Sequence, residues 1–364
     1  MITDYCTTIG IDVSDVKSKV CVMRRNGRNI EIVQETSINT TPEDLRRFLS
    51  TQDRTTPVTF ETGTHCRWMH KVATSMGFKT YIANPSRLKM ISESTRKNDE
   101  ADARLLARMT LADVELLHPV KLRGDEYQKM VNLHEMRNLL VKQRTMIITQ
   151  LRCFAKSMGS RFPYKRAESF HKINRHELPE ELNNIIWPMF KSLENLSVTI
   201  ATYDKMIREL AETKEFKPMV DRLREIHYVG LYVATGFVAV TGGDMSKFER
   251  ARDIGPWIGF TPRQDQSGEI DKHCHITKNG SELLRCLLTE SANMILRDTA
   301  KATNLKLKGM RICKRGGKIA KRRAVTAVSR SLAVLMVAML KKPDRPYEAI
   351  SEESAKELER LYLN

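Results

Sequence analysis

The sequence lacks a long apolar run and an export signal. No stretch of its 364 residues approaches the roughly 20 apolar positions that a membrane-spanning helix requires. The nine apolar residues from Leu332 to Leu340 are typical of a buried helix instead. Residues 1–6 have neither the basic nor the apolar region of a signal peptide. We therefore expect a cytoplasmic protein with no membrane partner.

The sequence contains few cysteines, and their spacing shows no pairing pattern. The seven cysteines are odd in number and contain no CxxC pair, which excludes the regular disulfide framework of a small secreted protein. The segment His273-Cys274-His275 is the only local cluster of metal-ligand residue types. No second pair of ligands lies at zinc-finger spacing, so we expect a surface strand there.

Acidic residues are scarce relative to basic ones, with 44 Asp and Glu against 61 Lys and Arg and a net charge of +17. An excess of this size favours a polyanionic partner, first of all nucleic acid. Residues 301–345 contain 14 Lys or Arg and a single acid, Asp344. The candidate phosphate contacts in this stretch are Lys318, Lys321, Arg322 and Arg323.

Four of the acids occupy positions where acids need an explanation. Asp12 and Glu61 stand at the ends of apparent strands, and a buried strand rarely carries an acid without a partner or a metal. Asp99 and Asp102 lie three residues apart, on one face at the start of a probable helix. A simpler interpretation of this pair is helix initiation, because acids in a first turn are stabilised by the helix dipole.

Brought together, four carboxylates would repel one another unless they shared cations. The usual solution is a pair of divalent ions about 4 Å apart that hold a phosphodiester on both sides. The four acids therefore predict Mg²⁺ and phosphate chemistry. Glu100 is next to Asp99 but off the shared face, so no role is expected for it.

The order of elements places these acids in a recognisable fold. Strands are predicted at 6–13, 19–23 and 30–34, with Asn26-Gly27 as a hairpin turn, followed by a helix that begins at Thr41-Pro42. A strand at 58–61, a helix at 65–76 and a strand at 79–83 follow. Three strands and then alternating helix and strand are typical of a ribonuclease H-like α/β sheet, in which Asp12 and Glu61 would be neighbours.

The D, E and D-x-x-D series resembles the RuvC-like, ribonuclease H-fold domain of the DEDD transposases of the insertion-sequence-110 class, the bridge-RNA-guided recombinases. A second motif, Trp257 to Gly268 (WIGFTPRQDQSG), is similar to that family's C-terminal signature, as are the segments 276–280 and 283–285. The two motifs occur in the family's order and together cover most of the chain.

The resemblance implies the chemistry of the second motif. Ser267 matches the serine taken to attack DNA and hold it as a phosphoserine ester, with Arg263, Lys278 and Arg285 as basic neighbours of the phosphate. It implies a DNA recombinase that joins donor and target DNA under the direction of a structured guide RNA. Such a transposase would act as a homo-oligomer, a dimer or a tetramer, at the bacterial nucleoid.

Between the two motifs the pattern is helical. Residues 130–158 carry an apolar heptad, and a second apolar seam follows at a spacing of 3 and 4, comprising Leu193, Leu196, Ile200, Tyr203, Ile207 and Leu210. Packing within the chain and pairing with a second subunit would bury this seam equally well. The predicted domains are a RuvC-like domain at 1–158, a linker and coiled-coil helix at 159–214, and a basic, mainly α-helical transposase domain at 215–364.

Two other functions fit the same residues. A metal-dependent junction-resolving nuclease would use water as the nucleophile, and Ser267 would then be structural. A non-enzymatic scaffold could instead coat nucleic acid, with its acids serving as helix caps and ion-pair partners. A covalent protein–DNA adduct, free cleaved ends or neither would distinguish the three.

Overall fold

The computed structural model describes residues 5–85, 88, 99–174, 180–267 and 270–363, and the chain forms two units divided after Leu122. The sequence predicts the first boundary later, after residue 158. The difference arises from the long helix that begins at Asp125, because its apolar residues Met130 and Val131 belong to the core of the second unit.

The first unit contains a five-stranded mixed sheet. Its strands are β1 (Thr7–Asp12), β2 (Lys17–Asn26), β3 (Asn29–Asn39), β4 (Val58–Glu61) and β5 (Thr80–Ala83). The strand order is β3-β2-β1-β4-β5. β2 pairs antiparallel with β1 and β3, whereas β4 runs parallel to β1 and β5. The α/β sheet predicted from the element order is confirmed.

Local sequence signals explain the elements of this sheet. Gly27 adopts a positive φ of 61° in the turn between β2 and β3, which favours glycine at that position. Helix α1 (Pro42–Ser50) begins after Thr41, whose side chain accepts a hydrogen bond from the Asp44 amide. Helix α2 (Cys66–Ser75) and helix α3 (Asp99–Ala112) complete the regular helices described in this unit.

The second unit is mostly helical. Its α-helices are α4 (Asp125–Ser157), α5 (Glu180–Ala211), α6 (Lys217–Arg224), α7 (Leu231–Thr241), α8 (Ile254–Ile258), α9 (Glu282–Ile295), α10 (Asn304–Cys313), α11 (Gly317–Lys341) and α12 (Glu352–Leu363). An antiparallel hairpin of β6 (Pro262–Ser267) and β7 (Ile270–Ile276) interrupts them. β7 contains the His273-Cys274-His275 segment, so the predicted strand is confirmed.

Four of the six residues in the apolar seam on α5 are buried inside the second unit, and Leu196 and Tyr203 are half-buried. Leu193 packs with residues of α4 in one cluster, and Ile207 and Leu210 belong to the core that also contains Met130 of α4. Ile200 is 4% exposed. Of the two interpretations of the seam, intramolecular packing is therefore the one the structure supports, and a separate coiled-coil connector is not confirmed.

Helix α11 is the centre of the larger core. Among the described residues it is the helix whose length and composition would allow it to cross a membrane, a test that a core helix of a soluble protein also passes. Val328, Leu332 and Met336 are fully buried in the same cluster as residues of α7 and α9. We therefore interpret α11 as a core helix.

A buried histidine joins α4 to α7. His134 is 3% exposed, and its Nε2 lies 3.0 Å from the Thr235 hydroxyl. That hydroxyl donates its own hydrogen to the Leu231 carbonyl, so Nε2 is the donor to Thr235. Burial lowers the pKa of His134 to about 4, and the nearby Arg137 charge acts in the same direction.

This histidine makes the stability of the second unit depend on pH. Because the folded-state pKa of about 4 is below the ordinary value of 6.5, the unfolded chain takes up a proton first as the pH falls. The free energy of unfolding should then drop between pH 6.5 and pH 4, by about 3 kcal/mol in total from this group. Urea unfolding across this range should show a shallower pH dependence for His134→Gln than for the wild type, and equal slopes would contradict the prediction.

Candidate functional site

The two strand-borne acids lie side by side at one edge of the sheet. β1 and β4 are parallel neighbours, and Ile11 pairs with Phe60. Asp12 and Glu61, the next residues on each strand, therefore end adjacent strands at the same edge. Both side chains are half-buried, and the Oε1 atom of Glu61 is buried. The predicted proximity of this pair agrees with the strand register.

Helix α3 lies directly on β1. The Thr8 hydroxyl donates to the Ala107 carbonyl at 2.9 Å. A Cβ added to Gly10 would lie 2.2 Å from the Ala103 carbonyl oxygen and 2.5 Å from the Ala107 nitrogen. No side chain fits between the strand and the helix at Gly10, so glycine is required for this approach.

These contacts set the register between strand and helix. Alternate residues of a strand face one side, so Thr8, Gly10 and Asp12 all face α3. Two residues of a strand and four residues of a helix each advance the chain by about 6 Å. Thr8 lies beside Ala107 and Gly10 lies beside Ala103. One further step of two strand residues and four helix residues therefore places Asp99 at the level of Asp12.

Strand β4 also contacts helix α3. The Thr59 hydroxyl lies 2.7 Å from the Thr110 hydroxyl of α3, and Glu61 is two residues further along the same face of the strand. Asp99 and Asp102 lie in the first turn of α3, where Asp99 is exposed and Asp102 is half-buried. All four predicted acids thus belong to the end of the sheet that the first turn of α3 approaches.

The donor set suits a hard divalent cation, since Mg²⁺ prefers oxygen ligands and each of the four residues supplies a carboxylate. Backbone register brings Asp12 and Glu61 to one edge. Within the described part of the chain, no three or more His, Cys, Asp or Glu side chains are arranged so that they could hold a metal ion. The four carboxylates therefore belong to the same end of the sheet, but their side chains are not arranged as a complete set of metal ligands.

Two ion pairs connect α3 to strands β2 and β3 of the sheet. Lys19 of β2 is the cross-strand neighbour of Asp12, and its ammonium lies 3.1 Å from a Glu100 carboxylate oxygen. Arg104 donates to both carboxylate oxygens of Glu35 on β3, and these hydrogen bonds hold the pKa of Glu35 below its ordinary value. Glu100, for which the sequence suggested no role, is part of this arrangement.

A cavity of about 230 Å³ lies beside these pairs. Its lining includes Lys19, Glu35 and Glu100, together with Cys21 of β2. Burial raises the pKa of the Cys21 thiol to about 11. A thiol with so high a pKa stays protonated at neutral pH and is a poor nucleophile, so Cys21 serves in packing.

The second motif lies in the other unit. Ser267 is the last residue of β6 and pairs with Ile270 across the hairpin. Arg263, near the start of β6, is exposed, and Lys278 is exposed with a positive φ of 56°. Residue 268, the last of the motif, and residue 269 are outside the described residues.

Arg285 has protein partners. Its guanidinium donates to the carbonyl oxygens of Ile258, Asn279 and Gly280 at 3.0, 2.7 and 3.1 Å. These hydrogen bonds fix the loop that carries Lys278. Arg285 therefore anchors the loop structurally, and phosphate binding by this residue stays a prediction.

The basic stretch divides into structural and exposed residues. Lys306 is 2% exposed and donates to the Asp298 and Ala300 carbonyls. Arg311 is bonded to Glu357, and Lys341 donates to the Phe248 carbonyl. The predicted phosphate contacts are all exposed on the first two turns of α11, namely Lys318, Lys321, Arg322 and Arg323.

Three supporting residues were missed by sequence reasoning. Gly10, Ala103 and Lys19 carry no chemistry of their own in the sequence, yet they determine how α3 meets the sheet. A glycine inside a strand does indicate close approach of another backbone. Small residues four apart, Ala103 and Ala107, are the matching signal on the helix.

Comparison with known proteins gives two family matches. Residues 9–158 match a DEDD family model of the IS110 type described as a transposase, and residues 220–306 match the model of the transposase IS116/IS110/IS902 family.

Individual proteins are similar over longer stretches. The transposase for insertion sequence element IS1111A of Coxiella burnetii is 28% identical over 237 residues, covering 64% of this chain and 63% of that protein. The transposase for insertion sequence element IS1328 of Yersinia enterocolitica is 25% identical over 295 residues, covering 80% of this chain and 84% of that protein. The chain thus spans less than two thirds of the Coxiella protein's length.

Among solved structures, T. thermophilus RuvC in complex with a Holliday junction substrate is similar to this chain, at 15% identity and a TM-score of 0.23. The match covers 32% of this chain and all of that chain.

Proposed function

Because this chain belongs to the IS110 family of insertion-sequence transposases, we propose that it is the recombinase of a mobile element and that it cuts and rejoins DNA through Ser267. The carboxylates of Asp12, Glu61, Asp99 and Asp102 form its Mg²⁺ site in this proposal. A protein that recombines chromosomal DNA acts where that DNA lies, in the bacterial cytoplasm at the nucleoid.

The observation that carries the proposal is the position of four acids around one edge of a sheet. Asp12 and Glu61 end adjacent parallel strands, and the close packing of Ala103 on Gly10 brings the first turn of α3 to the same edge. Carboxylates brought closer together at this edge would repel one another, and a shared cation would offset that repulsion.

The four carboxylates would bind Mg²⁺ directly through oxygen. When bound, the ion supplies charge neutralisation and polarisation of a phosphodiester. The side chains themselves contribute negative charge and orientation, because each is fixed by a strand end or by a helix turn rather than by a loop.

Ser267 is the proposed nucleophile. Its Oγ attacks the phosphorus of the DNA strand, and as the new phosphorus–oxygen bond forms, the bond to the leaving strand oxygen breaks. The serine proton is lost and the leaving oxygen takes up a proton, so that a strand hydroxyl is released. A hydroxyl of the partner DNA then attacks the phosphoserine and frees Ser267, and one phosphodiester is formed for each one broken.

The exposed cations of α11 would hold the nucleic acid. Replacing both Arg322 and Arg323 with glutamate should weaken binding and reduce the slope of log affinity against log salt by about one to two units, because each lost phosphate contact removes about 0.7 to 0.9. Fluorescence anisotropy with labelled DNA across a salt series measures this slope.

Arg311→Gln is the matched control for that experiment. Arg311 belongs to the same basic stretch but is bonded to Glu357, so its replacement should leave the salt slope unchanged. If the variant with glutamate at both Arg322 and Arg323 kept the wild-type slope, these arginines would face solvent without contacting phosphate.

Sequence specificity is proposed to come from a guide RNA, which would direct the protein to donor and target DNA. Expression of the chain with its native flanking DNA, followed by extraction and sequencing of the bound RNA, tests this. A single structured RNA encoded next to the gene is the expected result. Formation of recombinant DNA from donor and target only when that RNA is added tests the whole function, and RNA-independent recombination would contradict the guide.

Joining two DNA partners requires more than one active site, so a dimer or a tetramer is proposed as the working form. The seam on α5 is occupied within the chain, so the interface between subunits would use other surfaces. Light scattering of the protein with and without nucleic acid measures the number of subunits.

A further inference from the structure

Besides its contact with β4 through Thr110, helix α3 contacts β3, β2 and β1 through three different residues. Arg104 is bonded to Glu35 on β3, Glu100 is paired with Lys19 on β2, and Ala103 lies against Gly10 on β1. The strands follow one another in the sheet as β3, β2 and β1, with β4 next. Each contact therefore connects a different strand to a different side of the helix.

The contacts fix the rotation of α3 about its axis. Successive residues of an α-helix are about 100° apart, so going round the helix from Arg104, Glu100 follows after about 40° and Ala103 after about 60° more. Asp99 and then Asp102 come next in the same direction. This order matches the passage from β3 across β2 and β1 toward β4, so the two aspartates face the strands that carry Asp12 and Glu61.

The signs of the charges also oppose a wrong register. Glu100 and Arg104 are one helical turn apart, and their partners on the sheet have the opposite order of signs, with Lys19 positive and Glu35 negative. A shift of the helix by one turn would bring Arg104 to Lys19 or Glu100 to Glu35. Both shifts place like charges together, which is unfavourable.

We propose that Lys19 and Glu35 are positioning residues, whose ion pairs with Glu100 and Arg104 hold α3 at the rotation and register that direct Asp99 and Asp102 toward Asp12 and Glu61. The inference rests on the proposed function, because it gives these pairs a purpose in the carboxylate site. It concerns residues that touch neither the DNA nor the cation in that proposal.

A charge-exchange experiment tests the positioning role. Lys19→Glu and Glu100→Lys each create a like-charge pair, and the double variant restores an opposite-charge pair with its signs exchanged. Arg47→Glu is the control, because Arg47 forms an exposed ion pair with Asp44 on α1 in the same unit and the charge change equals that of Lys19→Glu.

Two measurements are made on each full-length variant. The first is hydrogen exchange at the amides of residues 103–107, whose hydrogen bonds close the first turn of α3. The second is the affinity for Mn²⁺ followed by electron paramagnetic resonance, with Mn²⁺ as the probe. Each single variant should exchange about fivefold faster and bind Mn²⁺ about fivefold more weakly, since exposed ion pairs shift equilibria by up to about that factor. The double variant should recover both values, and Arg47→Glu should change neither.

The outcomes separate this inference from the proposed function. Unchanged exchange in both single variants would overturn the positioning role. Faster exchange with unchanged Mn²⁺ affinity would show a structural ion pair and would also overturn it. If the wild type binds no Mn²⁺, the metal site of the proposed function fails, and Lys19 and Glu35 then have no carboxylate site to position.

Discussion

Replacement of Asp12 with asparagine is expected to lower the rate of DNA strand cleavage by about a thousandfold or more. Asparagine keeps the size of the side chain and one oxygen acceptor but removes the negative charge. A bound cation contributes several kcal/mol to stabilising the charge that develops on a transferring phosphoryl group, and each 1.36 kcal/mol is a factor of ten in rate. Cleavage of labelled DNA by equal amounts of wild type and variant, with Mg²⁺ present, measures the loss.

The fold should survive this change. Asp12 is half-buried at the last position of β1, where the backbone pairing with Lys19 does not depend on the side chain. Asp15→Asn is the matched control, because Asp15 lies three residues later and its side chain is 95% exposed. Wild-type cleavage by Asp12→Asn, with an unaltered melting temperature, would rule out the metal site described here.

Replacement of Ser267 with alanine is expected to eliminate both recombination and protein-linked DNA. A recombinase must keep the energy of the phosphodiester between cutting and rejoining, and a serine ester does so whereas hydrolysis by water does not. Binding of Mg²⁺ and of nucleic acid should persist, because neither depends on the Ser267 hydroxyl in the proposed mechanism. Recombinant product and covalent adduct are measured on the same samples.

The control for Ser267→Ala has to be a serine without a structural role. Ser281 is unsuitable, since its side chain accepts a hydrogen bond from the Leu284 amide and caps α9. Ser157 is exposed near the end of α4 and donates only to the carbonyl of Phe154, so Ser157→Ala should remain active. Undiminished DNA cutting by Ser267→Ala would favour water as the nucleophile.

The sheet could be predicted because its signals are local. Alternation of apolar residues, the Asn26-Gly27 turn and the Thr41-Pro42 helix start each lie within a few residues of the element they determine. The proximity of Asp12 and Glu61 followed from the element order alone, since parallel neighbours in such a sheet end at one edge.

Partners far apart in the sequence could not be predicted in the same way. Lys19 and Glu100 are separated by 81 positions, and nothing in the sequence around either residue indicates the other. Lys306 shows the same limit, because it belongs to the run of basic residues at 301–345, yet its side chain is buried and its ammonium donates to two backbone carbonyls. The charge of a lysine does not indicate whether its ammonium donates to buried backbone carbonyls or is exposed to solvent.

The α5 seam illustrates a further limit. Its heptad spacing fixes which residues must be buried, and Leu193, Ile200 and Ile207 are indeed buried. The spacing does not indicate which surface covers these residues. An apolar stripe removes the same area from water whether it packs against its own chain or against another. Only the position of α4 determined that outcome.

The central claim is that Ser267 becomes joined to DNA, and one measurement tests it most directly. The wild-type protein, together with the proposed guide RNA, is incubated with end-labelled donor and target DNA, denatured, and separated on a gel. Label that migrates with the protein, and that mass spectrometry of the proteolysed adduct assigns to the peptide containing Ser267, is the predicted result. Cleaved DNA with free ends and no label on the protein would contradict the account.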